Sequence, residues 1–287
     1  MQKRGLILLN AYADGITRQA ARLRDELTSL GVNMRVARNN EFIARIKNGE
    51  TAVTADVDFC VYLDKDKYVA RMLEKSGVRL FNRAQAIENC DDKMTTHIIL
   101  SNNGIPMPDT VPGLLCYDAN IPLDVAALDR AEAALGYPVV VKLSYGSMGK
   151  GVFKADDRTE LVKIAEAVKP YPHLFQKYIK SSHGTDMRVI VVRSKVLGGI
   201  IRRSNGDFRS NIGLGGSAKK TDVPKDVAKI ALRAADILEL DYCGMDFLLG
   251  DTPLLCEVNS NAFFDAFEQA TGINVARAYA EHIVNAL

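Results

Sequence analysis

Three oxygen-bearing side chains lie at regular spacing near the carboxyl end of the chain. Two apolar segments, 244–249 and 254–259, flank a Gly-Asp-Thr-Pro turn, a pattern typical of a β-hairpin. If the residues that flank this turn pair, Asp246 lies opposite Glu257, and the two-residue period of a strand places Asn259 on the same face. Facing carboxylates repel unless a cation lies between them, and an all-oxygen ligand set suits Mg²⁺. The alternative, a solvated polar face, agrees poorly with the apolar residues on the same strands.

A glycine-rich segment follows the apolar strand that ends at Lys142. Residues 144–151 contain three glycines and a lysine. Glycines let backbone N–H groups approach phosphate oxygens closely and lysines supply positive charge, so the segment predicts a phosphate-binding loop. It is not a Walker A motif, because Ser144 and Gly151 replace that motif's glycine and hydroxyl residue, and its glycine spacing does not fit a dinucleotide fingerprint. A mobile hairpin turn is the alternative interpretation.

A basic cluster precedes a second glycine-rich run at 213–216. Arg202, Arg203 and Arg209 lie within eight positions of one another. Arginines at such a place could hold phosphates or a substrate carboxylate through bidentate hydrogen bonds. Taken alone, the cluster is more typical of a solvated charged loop.

The amino-acid composition is typical of an ordinary globular protein. The chain has 287 residues, of which 47% are hydrophobic and 25% are charged. These values exclude disordered, collagen-like and coiled-coil proteins. Lys and Arg number 37 against 35 for Asp and Glu. This balance argues against a dedicated nucleic-acid-binding or membrane-surface protein.

The cysteines and the apolar runs predict a cytoplasmic protein. The five cysteines are scattered and include no Cys-x-x-Cys pair, which argues against a disulfide framework or a zinc site. They are expected to be buried small hydrophobes. The amino-terminal apolar run stops at Asn10, too early for a signal peptide, and no run is long enough to predict a membrane span.

The first ninety residues alternate between apolar strands and amphipathic helices. One helix carries an apolar stripe at Ile16, Ala20, Leu23, Leu27 and Leu30. Such alternation predicts an α/β unit with a parallel sheet covered by helices. The segment 64–68 follows the third strand, where ligands of such sheets bind.

The remaining chain predicts α+β structure. Helices are expected over 125–135, 159–168 and 227–240, and a last helix from about Asn274. Strands are expected over 138–142, 174–179, 187–192 and 196–201. We predict three units: 1–90, 91–175 with the glycine-rich loop, and 176–287 with the hairpin.

Taken in order, these segments resemble the ATP-grasp superfamily, and within it the RimK-like ligases. The resemblance runs from about Asp91 to Ala276. It rests on Asp92-Lys93-Met94, Val140-Val141-Lys142-Leu143, Phe175-Gln176-Lys177-Tyr178-Ile179, Gly184-Thr185-Asp186-Met187-Arg188, Gly206-Asp207-Phe208-Arg209-Ser210-Asn211, Gly244-Met245-Asp246 and Glu257-Val258-Asn259. The order and spacing of these motifs are specific. The first ninety residues share only the α/β alternation.

The resemblance implies an ATP-grasp fold preceded by a Rossmann-like domain, and it implies ATP and two Mg²⁺ ions, with Mn²⁺ as a substitute. The implied nucleotide-binding residues are Lys93, Lys142, Gly146, Ser147, Gly149, Gly151, Gln176, Lys177, Tyr178, Ile179, Asp186, Arg209, Ser210 and Asn211. Of these, Lys142 and Arg209 are implied to be catalytic. The implied metal ligands are Asp246, Glu257 and Asn259.

The family's chemistry implies an ATP-dependent carboxylate–amine ligase that adds glutamate or another amino acid to an amine, peptide or carrier acceptor. A D-alanine–D-alanine-like ligase, a macrocycle-forming peptide ligase, a substrate kinase and a non-catalytic nucleotide-binding regulator remain alternatives. The resemblance also implies a homo-oligomer. No covalent nucleophile is needed, so the four histidines are expected to serve packing or the surface.

Two departures from the family bear on the substrates. Lys177 stands where RimK-like proteins usually carry an acid. The stretch 259–264 replaces an Ala-Ser-Pro-Gly type continuation that borders the acceptor site in the family, so the acceptor is left open. Phe263, Phe264 and Phe267 either line a pocket or pack in the core.

Overall fold

The computed structural model describes residues 2–12, 17–41, 43–210 and 216–287. Within these ranges, no helix is both long and apolar enough to cross a membrane. The five cysteines are free thiols. The expected burial is confirmed for Cys60, Cys90 and Cys243 but is wrong for Cys116 and Cys256, which are only partly buried.

The first sheet is parallel, as the alternating pattern predicted. Its segment of the chain runs β1 (Arg4–Leu9), α1 (Thr17–Ser29), β2 (Asn33–Arg38), β3 (Ala44–Lys47), β4 (Glu50–Val53), β5 (Phe59–Leu63), α2 (Lys67–Lys75), β6 (Arg79–Phe81) and α3 (Ala84–Asp91). The parallel strands lie in the order β2-β1-β5-β6. The small β3–β4 hairpin is separate and had no sequence prediction. Ala20, Leu23 and Leu27 of the predicted stripe are buried, while Ile16 lies outside the described residues.

The second sheet is antiparallel and carries the glycine-rich loop. Its segment runs α4 (Lys93–Leu100), β7 (Thr110–Pro112), α5 (Val125–Leu135), β8 (Val139–Leu143), β9 (Val152–Ala155), α6 (Arg158–Val168) and β10 (His173–Lys177), with strand order β7-β10-β8-β9. The predicted helix 125–135 is confirmed at both ends. Each of α4, α5 and α6 begins at an aspartate whose side chain accepts hydrogen bonds from the first turn, the usual helix start.

The third sheet has five antiparallel strands. Its segment runs β11 (Thr185–Val192), β12 (Lys195–Arg203), β13 (Ser217–Thr221), α7 (Lys225–Ile237), β14 (Tyr242–Leu248), β15 (Leu254–Asn259), α8 (Asp265–Thr271) and α9 (Val275–Ala286). The strand order is β13-β12-β11-β14-β15. Phe264 and Phe267 are buried in the core, whereas Phe263 is 45% exposed. Core packing, one of the two interpretations of these aromatics, is therefore confirmed for two of the three.

One apolar core joins the first and third sheets. It contains residues of α1, β1 and β5 together with residues of β11, β14, α8 and α9. Tyr242 and Tyr279 stack in it with their ring centroids 4.9 Å apart. The division of the chain into three units at 90 and 175 stays a prediction.

Asn82 connects the first sheet to the third by four hydrogen bonds. Its side chain is buried, with 2% exposure. Its amide nitrogen donates to the carbonyl oxygens of Tyr242 and Ser260, each at 2.7 Å. Its amide oxygen accepts from the backbone N–H groups of Asp241 and Tyr242. All four hydrogen bonds therefore join the Asn82 side chain to backbone groups at the start of β14 or just after the end of β15.

Replacing Asn82→Ala should lower the free energy of unfolding by about 3 kcal/mol, because two N–H groups and two carbonyls would be left buried without partners. Denaturant unfolding of the purified protein measures this. Gln85→Ala is the matched control, since Gln85 is exposed and its side chain donates to the side chain of Asn89, one turn further along the same helix. The control should stay within about 0.5 kcal/mol of the parent. Equal stability of both variants would contradict the structural role of Asn82.

Candidate active site

A cavity lies between the second and third sheets and collects most of the predicted site residues. The predicted residues that line it are Lys93, Lys142, Gly146, Ser147, Gly149, Gln176, Lys177, Tyr178, Ile179, Asp186, Arg209, Ser210, Asp246 and Glu257. Gly151 and Asn259 are described but are not among the lining residues. Asn211 lies outside the described residues. The roles of all these residues stay predictions, but their proximity is a property of the fold.

Two buried lysines bring positive charge to the cavity. Lys93 and Lys142 are 7% and 8% exposed. The Lys93 ammonium donates to the carbonyl oxygen of Gly146 at 2.8 Å and lies 3.7 Å from a carboxylate oxygen of Glu257. The Lys142 ammonium donates to the sulfur of Cys256 at 3.2 Å. Because a thiol is a weak acceptor, the Lys142 charge is poorly neutralised and available to an anion.

The glycine-rich loop connects the antiparallel strands β8 and β9, so it is a hairpin connection as well as a cavity wall. Gly146, Gly149 and Gly151 have positive φ values of 135°, 74° and 74°, a region that favours glycine. The carbonyl oxygen of Gly149 accepts a hydrogen bond from Arg209 at 2.8 Å. Arg209 is held in turn by the carboxylate of Asp207. The loop is thereby tied to the segment that precedes residue 211.

The hairpin places Asp246 opposite Glu257, as predicted, but the strand register next to the turn differs from the one that the sequence analysis assumed. The pair closest to the turn is Leu248–Leu254 and not 249 with 254, so the assumed pairing at the turn was wrong. A β-bulge then inserts one extra residue, Cys256, into β15. The bulge shifts the register by one and restores the pairing of Asp246 with Glu257.

Two arginines that the sequence analysis did not assign to this site hold Asp246. The Arg188 guanidinium makes two hydrogen bonds of 2.7 Å to its carboxylate. Arg202 lies 2.9 Å from the same carboxylate and also pairs with both oxygens of Asp186. The signal was available in the register, because Arg188 lies opposite Asp246 and Asp186 opposite Arg202 in the antiparallel ladders.

These arginines change one premise of the sequence analysis, namely that the facing carboxylates of Asp246 and Glu257 need a metal cation between them. Burial alone would raise the pKa of Asp246, but Arg188 and Arg202 outweigh it and lower that pKa to about 2. The two facing carboxylates are therefore compatible without a cation between them, because protein cations lie beside both. Asp246 stays ionised at neutral pH, so its carboxylate could act as an anionic oxygen ligand.

The residues still fit Mg²⁺. Asp246 and Glu257 are cross-strand partners that line one cavity and present oxygen atoms. The side-chain nitrogen of Asn259 is buried with no hydrogen-bond partner. Rotation of this amide by 180° exchanges the positions of its nitrogen and oxygen, so that the oxygen occupies the position without a partner. Among the described residues, no group of three His, Cys, Asp or Glu is arranged to hold a metal, so a site here depends on the amide oxygen.

His97 is a buried residue that contacts the backbone of β15 next to the cavity. It is 7% exposed, and its Nε2 lies 3.3 Å from the carbonyl oxygen of Cys256. Burial, followed by the charge of Lys142, lowers its pKa to about 4. The imidazole is therefore neutral at pH 7 and fixes the backbone of β15 at the bulge. The expected packing role is confirmed for this histidine.

Comparison with known proteins agrees with the resemblance seen in the sequence. Residues 90–283 match the model of the RimK-like ATP-grasp domain. Human N-acetylaspartylglutamate synthase A is 41% identical over 231 residues, which cover 79% of this chain and 58% of the synthase. Human beta-citrylglutamate synthase B is 39% identical with the same coverage. A probable alpha-L-glutamate ligase 1 of a Shewanella species is 36% identical and covers 75% of this chain and 70% of that protein. The chain thus spans about three fifths of the length of the two human relatives.

Solved structures confirm the ATP-grasp fold. The ATP-grasp ligase PsnB with a minimal precursor aligns with a TM-score of 0.73 over 98% of this chain and 99% of that one, at 17% identity. D-alanine–D-alanine ligase of Bacillus anthracis with ATP aligns with a TM-score of 0.72 over 99% and 96% of the two chains, at 19% identity. At such low identities the likeness establishes the fold alone.

The buried neutral His97 predicts a pH-dependent stability. Its pKa in the folded protein lies below the ordinary 6.5, so the unfolded chain binds the proton more readily. The stabilisation is complete above pH 6.5 and is lost as the pH falls toward 4. Between pH 7 and pH 4.5 the wild type should lose about 2 kcal/mol more unfolding free energy than His97→Gln. Parallel pH profiles for both proteins would contradict this.

Proposed function

Since the chain belongs to the RimK-like ATP-grasp family, we propose that it is an ATP-dependent ligase that joins a carboxylate to an amine. The observation that carries the proposal is the convergence of Lys93, Lys142, Arg209, Asp246 and Glu257 on one cavity. Positive groups and an acidic metal-binding pair at one place are what transfer of a phosphoryl group requires. A cytoplasmic location belongs to the proposal, and the free thiols support it.

The first step makes an acylphosphate. A carboxylate oxygen of the substrate attacks the γ-phosphorus of ATP, the bond to the bridging oxygen breaks, and ADP leaves. Lys93, Lys142 and Arg209 bind the phosphate oxygens and stabilise the charge that spreads over them. Mg²⁺ held by Asp246, Glu257 and Asn259 would neutralise further charge on the transferring group.

The second step makes the amide. The uncharged amine attacks the acyl carbon, inorganic phosphate leaves, and the amine loses a proton. The glycine-rich loop is tied to Arg209 through the carbonyl oxygen of Gly149 and would cover the acylphosphate at the cavity wall. We place the amine near the stretch 260–264, because that stretch directly follows the strand that carries Glu257 and Asn259.

We propose glutamate as one of the two substrates. The names of the relatives reported above share glutamate as a component. The fold is equally compatible with the D-alanine–D-alanine ligase and the PsnB peptide ligase, so substrate type rests on the relatives and not on the fold. The homo-oligomer implied by the resemblance stays a prediction.

Incubation with Mg-ATP and a panel of carboxylates and amines should release ADP and phosphate in equal amounts. With the correct pair, a new product should carry the summed mass of both substrates minus one water. Phosphate assay and mass spectrometry of the same reaction check this. A stable phosphorylated product without amide would identify a kinase instead, and absence of nucleotide binding would contradict the proposal as a whole.

Glu257→Gln should lower kcat by at least about 100-fold, because a neutral amide cannot replace the anionic metal ligand. Circular dichroism and thermal unfolding should show an intact fold. Asp251→Asn is the matched control, since Asp251 is an exposed carboxylate in the turn of the same hairpin. Full turnover by the Glu257 variant would contradict the metal-binding role, and a loss shared by the control would point to the hairpin itself.

A further inference from the structure

A second cavity lies on the other face of the second sheet from the active-site cavity. It is enclosed by β7, β10, α5, the end of α6 and the segment 114–124, and we call it the outer cavity. Phe175 of β10 lines the outer cavity, whereas Gln176, the next residue, lines the active-site cavity. Successive side chains of a strand point to opposite faces of a sheet, so the two cavities are separate.

Small side chains leave the outer cavity open. Ala127 and Ala131 of α5 and Ala165 of α6 line it at the boundary between helices and sheet. Protein interiors are close-packed and contain few voids larger than a water molecule. The outer cavity has a volume of about 350 Å³. This volume falls in the range of small-molecule binding sites, which is roughly 300–1,000 Å³.

The mouth of the outer cavity is apolar. Leu114, Leu115 and Ile121 line it and are 59%, 43% and 53% exposed. Large apolar side chains that are exposed together favour a ligand that removes them from water. The hydrocarbon part of a ligand would therefore contact these three residues.

One buried histidine supplies a hydrogen-bond acceptor to the outer cavity. His173 lines it and is 5% exposed, and its Nδ1 lies 2.8 Å from the carbonyl oxygen of Tyr171. A carbonyl oxygen can only accept, so Nδ1 carries the proton. Burial lowers the pKa of His173 below its ordinary value, so the imidazole is neutral at pH 7 and its Nε2 has a free lone pair. Nε2 can therefore accept from a hydroxyl group but cannot donate.

One buried lysine supplies a hydrogen-bond donor. Lys169 lines the outer cavity and is 4% exposed. Its ammonium donates to the carbonyl oxygen of Ile121 at 2.7 Å and to the carboxylate of Glu166. These two bonds use two of its three protons. The Glu166 carboxylate neutralises the charge, so Lys169 offers a donor without net charge.

We propose that the outer cavity binds a small, uncharged hydrocarbon molecule that carries a hydroxyl group, such as a phenol or an alcohol, and that this hydroxyl donates to Nε2 of His173. A hydroxyl group can also accept from Lys169. An ionised ligand does not fit. Asp118 and Asp124 line the outer cavity as well, so an anion would meet negative charge, and burial of an unpaired charge is costly.

Titration with 2-naphthol tests the site, because the fluorescence of the probe is not obscured in a chain without tryptophan. One molecule should bind per chain. The methyl ether 2-methoxynaphthalene has the same rings but no proton to donate. It should bind at least about tenfold more weakly, which corresponds to the loss of one hydrogen bond. Excess Mg-ADP should not displace 2-naphthol, since the two cavities share no lining residue.

Two variants fill the outer cavity and a third is the matched control. Ala127→Leu and Ala131→Met place larger side chains in it, and each should weaken 2-naphthol binding at least about tenfold. Two positions are used so that the test stands even where one variant does not fold. Ala126→Leu adds the same bulk on the exposed side of α5 and should keep the wild-type affinity. Thermal unfolding checks that each variant is folded.

The contrary outcomes are equally specific. A wild type that does not bind 2-naphthol would overturn the site. Equal binding of 2-naphthol and its methyl ether would overturn recognition of the hydroxyl group. Displacement by Mg-ADP, or wild-type affinity in a folded variant with a filled cavity, would show that the probe binds elsewhere and would also overturn the proposal. The ligase proposal stands in each of these cases, because it concerns the other cavity.

Discussion

The floor of the cavity, where Asp186, Arg202 and Asp246 lie, depends on paired charges that are almost fully buried. Arg202 is 3% exposed and bridges Asp186 and Asp246, which are 5% and 6% exposed. Arg188 completes the set from the same strand as Asp186. Charges at such depth are tolerated only when each has partners in good geometry. The partners lie on the three adjacent strands β11, β12 and β14. The pairing of these strands determines which charges meet, and the ion pairs in turn hold the floor of the cavity in place.

The charge balance of that floor has a consequence for ligands. The two aspartates and two arginines neutralise one another, so the positive charge of the cavity comes from the other cations that line it: Lys93, Lys142, Lys150, Lys177 and Arg209. These cations are provided by separate elements, and two of them contact the glycine-rich loop through its carbonyl oxygens. The same cations thus hold the loop and supply positive charge to an anionic ligand.

Much of the fold could be predicted from local pattern. Helical periodicity defined α5 and α6, and the apolar runs defined β8 and β14. Shorter elements escaped, including the β3–β4 hairpin and β7, because strands of three or four residues with exposed positions carry almost no periodic signal. The failure to predict β7 matters for the site, because β7 pairs with β10, whose Gln176 and Lys177 line the cavity.

The sequence by itself determined which chemical groups are available and in what order: two lysines, the glycine-rich loop, the acidic hairpin and the motifs of the RimK-like family. Only the tertiary structure decided which charge meets which. Arg188 and Asp246 are 58 positions apart, and Lys142 and Cys256 are 114 apart. Such pairings depend on strand order and on a one-residue bulge, and neither leaves a mark in local residue spacing. A single slip of register would turn every one of these side chains to the other face of the sheet.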